Sequence, residues 1–278
     1  MSDTLRLQEK SHAVQAILST FERAIVAFSG GVDSTLLLSL ALEALGPSNV
    51  LAVTADSPSL SHRDLEDARH LAYELRARHL VIDTDELDDP AYRANAANRC
   101  YLCKRTLFVE LEELAQRLRI PVILYGAIGG DLLQERPGQR AAAERGVRAP
   151  LQEAGLEKWA VRELARRRGL SNWEMPQDAC LSSRIPQGMA VTETKLRQIE
   201  QAEDVLVAMG FHQVRVRHFG NQARIEVAGN DLQRFEDAQL CQRVGQELER
   251  FGFSSVSVSR YRSGGANRPV PDDERVIA

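Results

Sequence analysis

Residues Ser29-Gly30-Gly31-Val32-Asp33-Ser34-Thr35 constrain this chain more than any other stretch. They follow an apolar run, Ala24-Ile25-Val26-Ala27-Phe28, which predicts a buried strand. They precede Leu36-Leu37-Leu38-Ser39-Leu40-Ala41-Leu42, whose apolar face predicts a helix. Strand, glycine turn and helix start leave backbone N–H groups pointing out of a helix N-terminus, where an anion binds. Gly30 and Gly31 let the backbone turn sharply and come close to a ligand. Ser29, Ser34 and Thr35 add hydroxyl donors, and Asp33 offers oxygen to Mg²⁺. The Gly-Lys-Ser/Thr signature of the other common phosphate loop is not present.

Further βα units follow. Val50–Ala55 reads as a second strand, and its end, with Thr54, lies at the same carboxyl edge as the phosphate loop if the sheet is parallel. Ser61 caps a helix running to about Arg78, with Asp64 three residues on. His79–Asp83 is a third strand, 84–98 a polar irregular segment, 104–118 a helix and Pro121–Gly126 a fourth strand. Residues 126–150 are too long for a simple connection, and 159–168 is another helix. The alternation predicts an α/β fold, a doubly wound parallel sheet with helices on both faces.

After Pro186 the texture changes. A helix over 192–209, strands at Val214–His218 and Ala223–Val227, a helix over 231–249 and a strand at Ser255–Tyr261 predict a smaller α+β domain with a loose tail from Ser263. The expected division is 1–186 and 187–278. Hydrophobic residues make up 44% of 278, enough for packed cores. The formal net charge of −4 argues against a broad nucleic-acid surface. No apolar run is long enough to span a bilayer. The first ten residues lack the apolar centre of a signal peptide, so a cytoplasmic protein with reduced thiols is expected.

The cysteines form a second constellation. Cys100-x-x-Cys103 lies just before the predicted helix at 104, where the positive end of the helix dipole favours a thiolate ligand. The pair suits redox chemistry, part of a metal site, or the core; zinc wants four ligands, and no second CxxC exists. Cys180 sits in a loop on the same carboxyl side of the predicted sheet. Three thiolates on an iron–sulfur cube leave one iron open to a ligand. Cys241, between Leu240 and Val244, reads as a core residue. Arg215 and Arg217, two apart on a strand, share one face and form a cationic fork for phosphate or carboxylate.

These pieces resemble known families. The loop is similar to the S-G-G-x-D-S/T pyrophosphate loop (PP-loop) of ATP pyrophosphatases, which cleave ATP between its α and β phosphates and adenylate an acceptor. The chain resembles the LarE family of ATP-dependent sulfur transferases of nickel-pincer nucleotide biosynthesis. The matching motifs are the phosphate loop, Asn98–Lys104, Tyr125-Gly126, Arg136-Pro137-Gly138, Ala149-Pro150-Leu151, Cys180-Leu181-Ser182-Ser183-Arg184, Gly210-Phe211, Arg215-Val216-Arg217 and Arg224-Ile225-Glu226. Where the family has an Asn and paired Asp after Tyr-Gly, this chain has Ala127-Ile128-Gly129-Gly130-Asp131, so only Asp131 keeps the acidic position.

The resemblance implies that the carboxylates of pyridinium-3,5-biscarboxylic acid mononucleotide are adenylated and converted to thiocarboxylates. Some members donate the sulfur of one cysteine, matching Cys180. Others hold a 4Fe–4S cluster on three, matching Cys100, Cys103 and Cys180, and this chain resembles the second type. The resemblance places ATP and Mg²⁺ at Ser29, Gly30, Gly31, Asp33, Ser34, Thr35, Thr54 and Gly126. It places substrate-phosphate contacts at Arg215 and Arg217 and matches Glu203 to an acidic position near the active site; Arg184 is placed to reach the nucleotide or substrate, and Lys104 either orients substrate or closes the helix start. It implies sulfide or another sulfur donor as partner and a homo-oligomer, a hexamer. Competing readings are a tRNA-thiolating PP-loop enzyme, which needs a basic surface or RNA-binding module, and an ammonia-dependent amidating enzyme, which needs no cluster. A nucleotide-sensing protein would need no cysteine trio.

Overall fold

The computed structural model describes residues 3–128, 137–175 and 180–278. Gly129, Gly130, Asp131 and Arg136, which the sequence reading used, lie outside the described residues. The chain divides into two compact units. Unit 1 comprises Met1–Glu86 and Asn98–Asp178; unit 2 comprises Leu87–Ala97 and Ala179–Ala278.

Unit 1 runs α1 (Asp3–Leu18), β1 (Ala24–Ala27), α2 (Val32–Leu45), β2 (Val50–Asp56), α3 (His62–Glu74) and β3 (Arg78–Asp83). The chain then gives α4 (Pro90–Arg93) to unit 2. It returns with α5 (Arg99–Leu118), β4 (Val122–Tyr125), α6 (Pro137–Ala143), α7 (Pro150–Glu153) and α8 (Lys158–Arg167). The sheet order is β3-β2-β1-β4, and every pairing is parallel. The strands other than the exposed edge strand β3 are largely apolar on both sides, and their two-residue period sorts side chains into two cores. Ala24, Val26, Val50, Ala52 and Leu124 join one cluster with Leu7, Leu36, Leu71 and Leu164, under α1, α2, α3 and α8. Ile25, Leu51, Val53 and Ile123 join another with Phe108, Leu111, Leu114 and Ala141, under α5 and α6. Helices therefore cover both faces, as the βα alternation predicts.

Three boundaries differ from the sequence reading. α3 stops at Glu74 because Arg76 adopts a left-handed conformation (φ 52°) that releases the chain into β3. α5 starts at Arg99, so Cys100 and Cys103 lie within its first five residues rather than preceding it. The segment 84–98 is not wholly irregular: it holds a 3₁₀ turn at Glu86–Asp88, and α4, capped by the Asp89 carboxylate.

Unit 2 continues with α9 (Glu193–Ala208), β5 (Val214–Phe219), β6 (Gln222–Val227), α10 (Ala238–Arg250), β7 (Ser255–Arg260) and β8 (Arg275–Val276). β5 and β6 form an antiparallel hairpin, β7 joins β6 in parallel, and β8 pairs antiparallel with β7. One sheet face is apolar: Val214, Val216, Ile225, Val227, Val256 and Val258 pack with Leu206, Val244 and Leu248 of α9 and α10. The predicted helix over 231–249 is broken. Gly229–Glu236 is 3₁₀, and Asp237 then caps α10 by accepting from the Gln239 N–H. The tail is not loose. Val256 N–H donates to Ala278 O at 2.7 Å, β8 pairs with β7, and a turn at Gly265–Asn267 packs on the sheet's polar face. Asn95 (φ 54°) ties α4's exit into unit 2 by donating to Ile185 O, Pro186 O and Met189 O.

Candidate functional site

In unit 1 the sheet's carboxyl edge holds the phosphate loop. Gly30 has φ 73°, a conformation that only glycine adopts without strain, and a Cβ there would press on Ala68 at 3.1 Å. Gly31 is the N-cap of α2, and no side chain caps the helix. A helix N-terminus without a side-chain cap is a ready anion site. Asp33 lies in that turn. Ser34 Oγ donates to Gly31 O at 2.9 Å and lies 3.2 Å from Ser29 Oγ, while Thr35 Oγ1 donates to Gly31 O at 3.0 Å. Gly126, just past β4, closes the loop's other side: a Cβ there would lie 2.8 Å from Ser34 N and 3.0 Å from the Asp33 carbonyl carbon. Any side chain at 126 would displace the start of α2.

Thr54 is buried at the end of β2. Its hydroxyl donates to Phe28 O at 2.7 Å, fixing the residue that enters the phosphate loop. With that hydrogen committed, Thr54 accepts from His79 Nε2 at 2.8 Å. Burial, and secondarily the charge of Arg69, holds His79 below the usual imidazole range, which favours the neutral ring this arrangement uses. Unit 1 also carries Cys100, exposed, and Cys103, half-buried, one turn apart on α5. Lys104 follows on the same helix, its Nζ 6.0 Å from the Phe108 ring centre.

Unit 2 presents the second group. Cys180 is exposed at the head of a 3₁₀ turn, Leu181–Arg184. That turn is clamped by buried side chains. Arg184 forks onto Glu203 of α9, Nε to Oε1 and Nη2 to Oε2, both at 3.0 Å. Its third nitrogen, Nη1, donates to Cys180 O at 3.1 Å. Glu203 also accepts from Val216 N at 2.9 Å, so one carboxylate joins helix, strand and turn. Ser182 shares a 2.7 Å hydrogen bond with the Tyr92 hydroxyl.

Arg215, Arg217, Arg224 and Glu226 share the sheet face opposite the apolar core, as the hairpin register dictates. Arg217 gives Nε and Nη2 to Glu226 Oε2 at 3.0 and 2.7 Å, and Nη1 to Ser183 O at 3.3 Å. Arg215 donates to Val214 O. Gly265 packs so closely on the Glu226 carboxylate that a Cβ would overlap it. Cys241 packs against the apolar core of unit 2 and donates to Phe235 O at 3.1 Å.

The structure thus gathers Ser29, Gly30, Gly31, Asp33, Ser34, Thr35, Thr54 and Gly126 in unit 1, and Cys180, Arg184, Glu203 and Arg217 in unit 2. Within either unit, among the described residues, no three His, Cys, Asp or Glu side chains are arranged to hold a metal ion. The sequence reading missed Asn172, whose amide donates to Gly30 O at 2.8 Å and Thr35 Oγ1 at 3.0 Å. No local pattern marks it, since its partners lie far back in the chain. It also missed His79 as the donor to Thr54, and Glu226 as the partner of Arg217. The hairpin turn at Gly220-Asn221 was a usable signal for the latter, because it fixes which residues share a face.

Comparison with known proteins agrees with this build. Residues 10–130 match the NAD synthase family, the stretch that contains the phosphate loop and the first three βα units. Part of the chain, 38% of it, is 35% identical to a glutamine-dependent NAD(+) synthetase of Rhodobacter capsulatus, but covers only 19% of that protein. The full-length matches are different. An uncharacterised protein of Synechocystis sp. is 41% identical over 94% of this chain and 98% of its own length. The pyridinium-3,5-bisthiocarboxylic acid mononucleotide synthase of Lactiplantibacillus plantarum is 36% identical over 94% of this chain and 95% of its own. Likeness that runs through both units, and not through the phosphate-loop domain alone, means that the chain belongs to the LarE family of PP-loop sulfur transferases, together with that synthase.

Proposed function

We propose that this chain is an ATP-dependent sulfur transferase that converts the carboxylates of pyridinium-3,5-biscarboxylic acid mononucleotide to thiocarboxylates. The observation that carries the reading is the full-length match to the L. plantarum synthase. The phosphate loop supports the first step. A carboxylate is a poor electrophile until one oxygen becomes a good leaving group. Its attack on the ATP α-phosphorus forms an acyl-adenylate and expels pyrophosphate. The uncapped amides of α2, with Ser29, Gly31, Ser34 and Thr35, receive the developing charge, and Asp33 holds Mg²⁺. Lys104 supplies a cation for the substrate's phosphate or carboxylates. Arg215 and Arg217, expected to form a cationic fork there, are buried, and Arg217 spends its guanidinium on Glu226 and Ser183 O. Arg184 and Glu203 hold the turn that presents Cys180.

Sulfur then attacks the acyl carbon, the bond to the AMP oxygen breaks, and a thiocarboxylate remains. Cys100, Cys103 and Cys180, two of them exposed and one half-buried, are a donor set suited to a 4Fe–4S cluster with three protein ligands. When bound, such a cluster supplies an open iron that carries sulfide. The exposure of Cys180 on a rigid turn favours a second reading, in which its own Sγ attacks the acyl carbon. Loss of the Cα proton and cleavage of Cβ–Sγ would then leave dehydroalanine on the protein and sulfur on the product. The reaction is proposed to take place in the cytoplasm, in a homo-oligomer.

Protein purified without oxygen and given ATP, the mononucleotide and sulfide tests both readings. The cluster reading expects iron, sulfide and a brown chromophore, lost with transfer on replacing any one of Cys100, Cys103 or Cys180 by Ala, while pyrophosphate release survives. It also expects unchanged protein mass after several turnovers. A single turnover and a Cys180 peptide lighter by one H₂S would replace it with the second reading. Absence of any pyrophosphate release would overturn the function itself.

A further inference from the structure

Asn172 lies in the turn after α8, 142 positions from Gly30, and is 7% exposed. Its Nδ2 donates to Gly30 O at 2.8 Å and to Thr35 Oγ1 at 3.0 Å. Its Oδ1 is buried with no hydrogen-bond partner among the described residues. A buried acceptor left unmade costs stability, and an apolar side chain of the same size would remove that cost. Packing therefore does not account for an amide here. Both of its hydrogen bonds end on the phosphate loop.

Gly30 and Gly31 share a peptide with no Cβ on either side, so no Cβ clash of their own resists its turning over. Carbonyl and N–H of a trans peptide point in opposite directions. Holding Gly30 O inward therefore aims Gly31 N–H the other way, where it donates to Ser29 Oγ at a long 3.4 Å. Turned over, the same peptide would present a carbonyl oxygen to an incoming phosphate and repel it. Thr35 Oγ1 completes the hold, since it donates to Gly31 O while accepting from Asn172.

We propose that Asn172 is a positioning residue that latches the Gly30–Gly31 peptide in its anion-receiving orientation, acting through the loop and not on the nucleotide's base or sugar. The inference rests on the ATP-cleaving reading of this loop.

The test titrates inorganic pyrophosphate, ATP and AMP, each with Mg²⁺, into the wild-type chain and into Asn172→Leu, which matches asparagine in shape and has no hydrogen-bonding group. The latch expects about tenfold or greater weakening for pyrophosphate and ATP, equivalent to loss of one good hydrogen bond, and less than about twofold for AMP. In pyrophosphate-release assays the Michaelis constant for ATP should rise more than kcat falls. If Asn172→Leu does not fold, Asn172→Ala carries the same ligand expectations. Equal weakening of AMP and pyrophosphate, or pyrophosphate affinity within about twofold of wild type, overturns the latch. A wild-type chain that binds neither ATP nor pyrophosphate overturns the ATP-cleaving reading, and the latch with it.

Discussion

The phosphate loop and the Cys180 turn solve the same problem, holding a short segment still at a functional edge, with opposite materials. The loop is held by backbone and small groups: two glycines, three hydroxyls, an amide, and a third glycine that lets β4's exit touch Ser34 N. The turn is held by buried charge: Arg184 on Glu203, and Arg217 on Glu226 with a third nitrogen on Ser183 O. The first device leaves the start of α2 without a side-chain cap, which suits a site that must receive an anion. The second spends its hydrogen bonds internally and leaves one exposed side chain, Cys180, at the head of the turn. In the proposed reaction, unit 1 acts through its backbone, and in unit 2 the backbone is scaffolding for a side chain.

The contrast is most sharply broken at Glu203. Both partners of the Arg184–Glu203 pair have side chains 2% exposed, so removing one leaves the other charged and dry. Glu203→Leu should destabilise unit 2 by roughly 3–5 kcal/mol in urea unfolding, while Arg184→Met with Glu203→Leu should recover most of the loss. Thiol-labelling of Cys180 should accelerate in the single variant as its turn comes loose. An unfolding midpoint unchanged in Glu203→Leu would mean that the turn is held by something other than the pair.

The counterpart in unit 1 is Asp33→Ala, where the loss should fall on chemistry and not on stability. Asp33 sits in the first turn of α2, with Mg²⁺ as its proposed partner. Pyrophosphate release should fall by about 100-fold or more, roughly 3 kcal/mol of transition-state stabilisation, with the unfolding midpoint within about 0.5 kcal/mol of wild type. Normal release in this variant would remove the proposed Mg²⁺ role of Asp33.

The same contrast governs what could be read from the sequence. The phosphate loop was legible because its parts are contiguous and each has a local reason: an apolar run for β1, glycines for the turn, an apolar face for α2. The Ser61 cap was legible for the same cause, and its Oγ accepts from Asp64 N as expected. The buried pairs were not, because Arg184 and Glu203 meet through tertiary packing, which no window of sequence displays. The break before Asp237 was missed because 3₁₀ and α patterns differ little over eight residues. The start of α5 was missed because Cys100 and Tyr101 are indifferent helix formers, and tertiary packing of the long helix overrides them. Asn172 was missed because its partners are far back in the chain. Residues near in sequence declare themselves; those that meet by folding do not.

The last way to sharpen the comparison uses acid. Unit 2's apolar core holds an ionisable group that unit 1's sheet core lacks among the described buried residues: His218, on β5, is 2% exposed and stacks edge-on to Phe253. Its Nε2 donates to Gln198 Oε1 at 3.0 Å, and Nδ1 has no hydrogen-bond partner among the described residues. Burial, and then the charge of Lys195, pushes its pKa down from 6.5 to about 4. The unfolded chain therefore binds a proton through the window from pH 6.5 to 4 that the folded chain refuses. The stability His218 contributes is complete above pH 6.5 and is lost as pH falls toward 4, by roughly 2 kcal/mol at pH 5. His218→Phe should flatten that slope in denaturation curves at pH 7, 6 and 5. It should leave pyrophosphate binding at the loop of unit 1 unaffected at every pH. A slope that survives in His218→Phe would assign the acid sensitivity to another buried group.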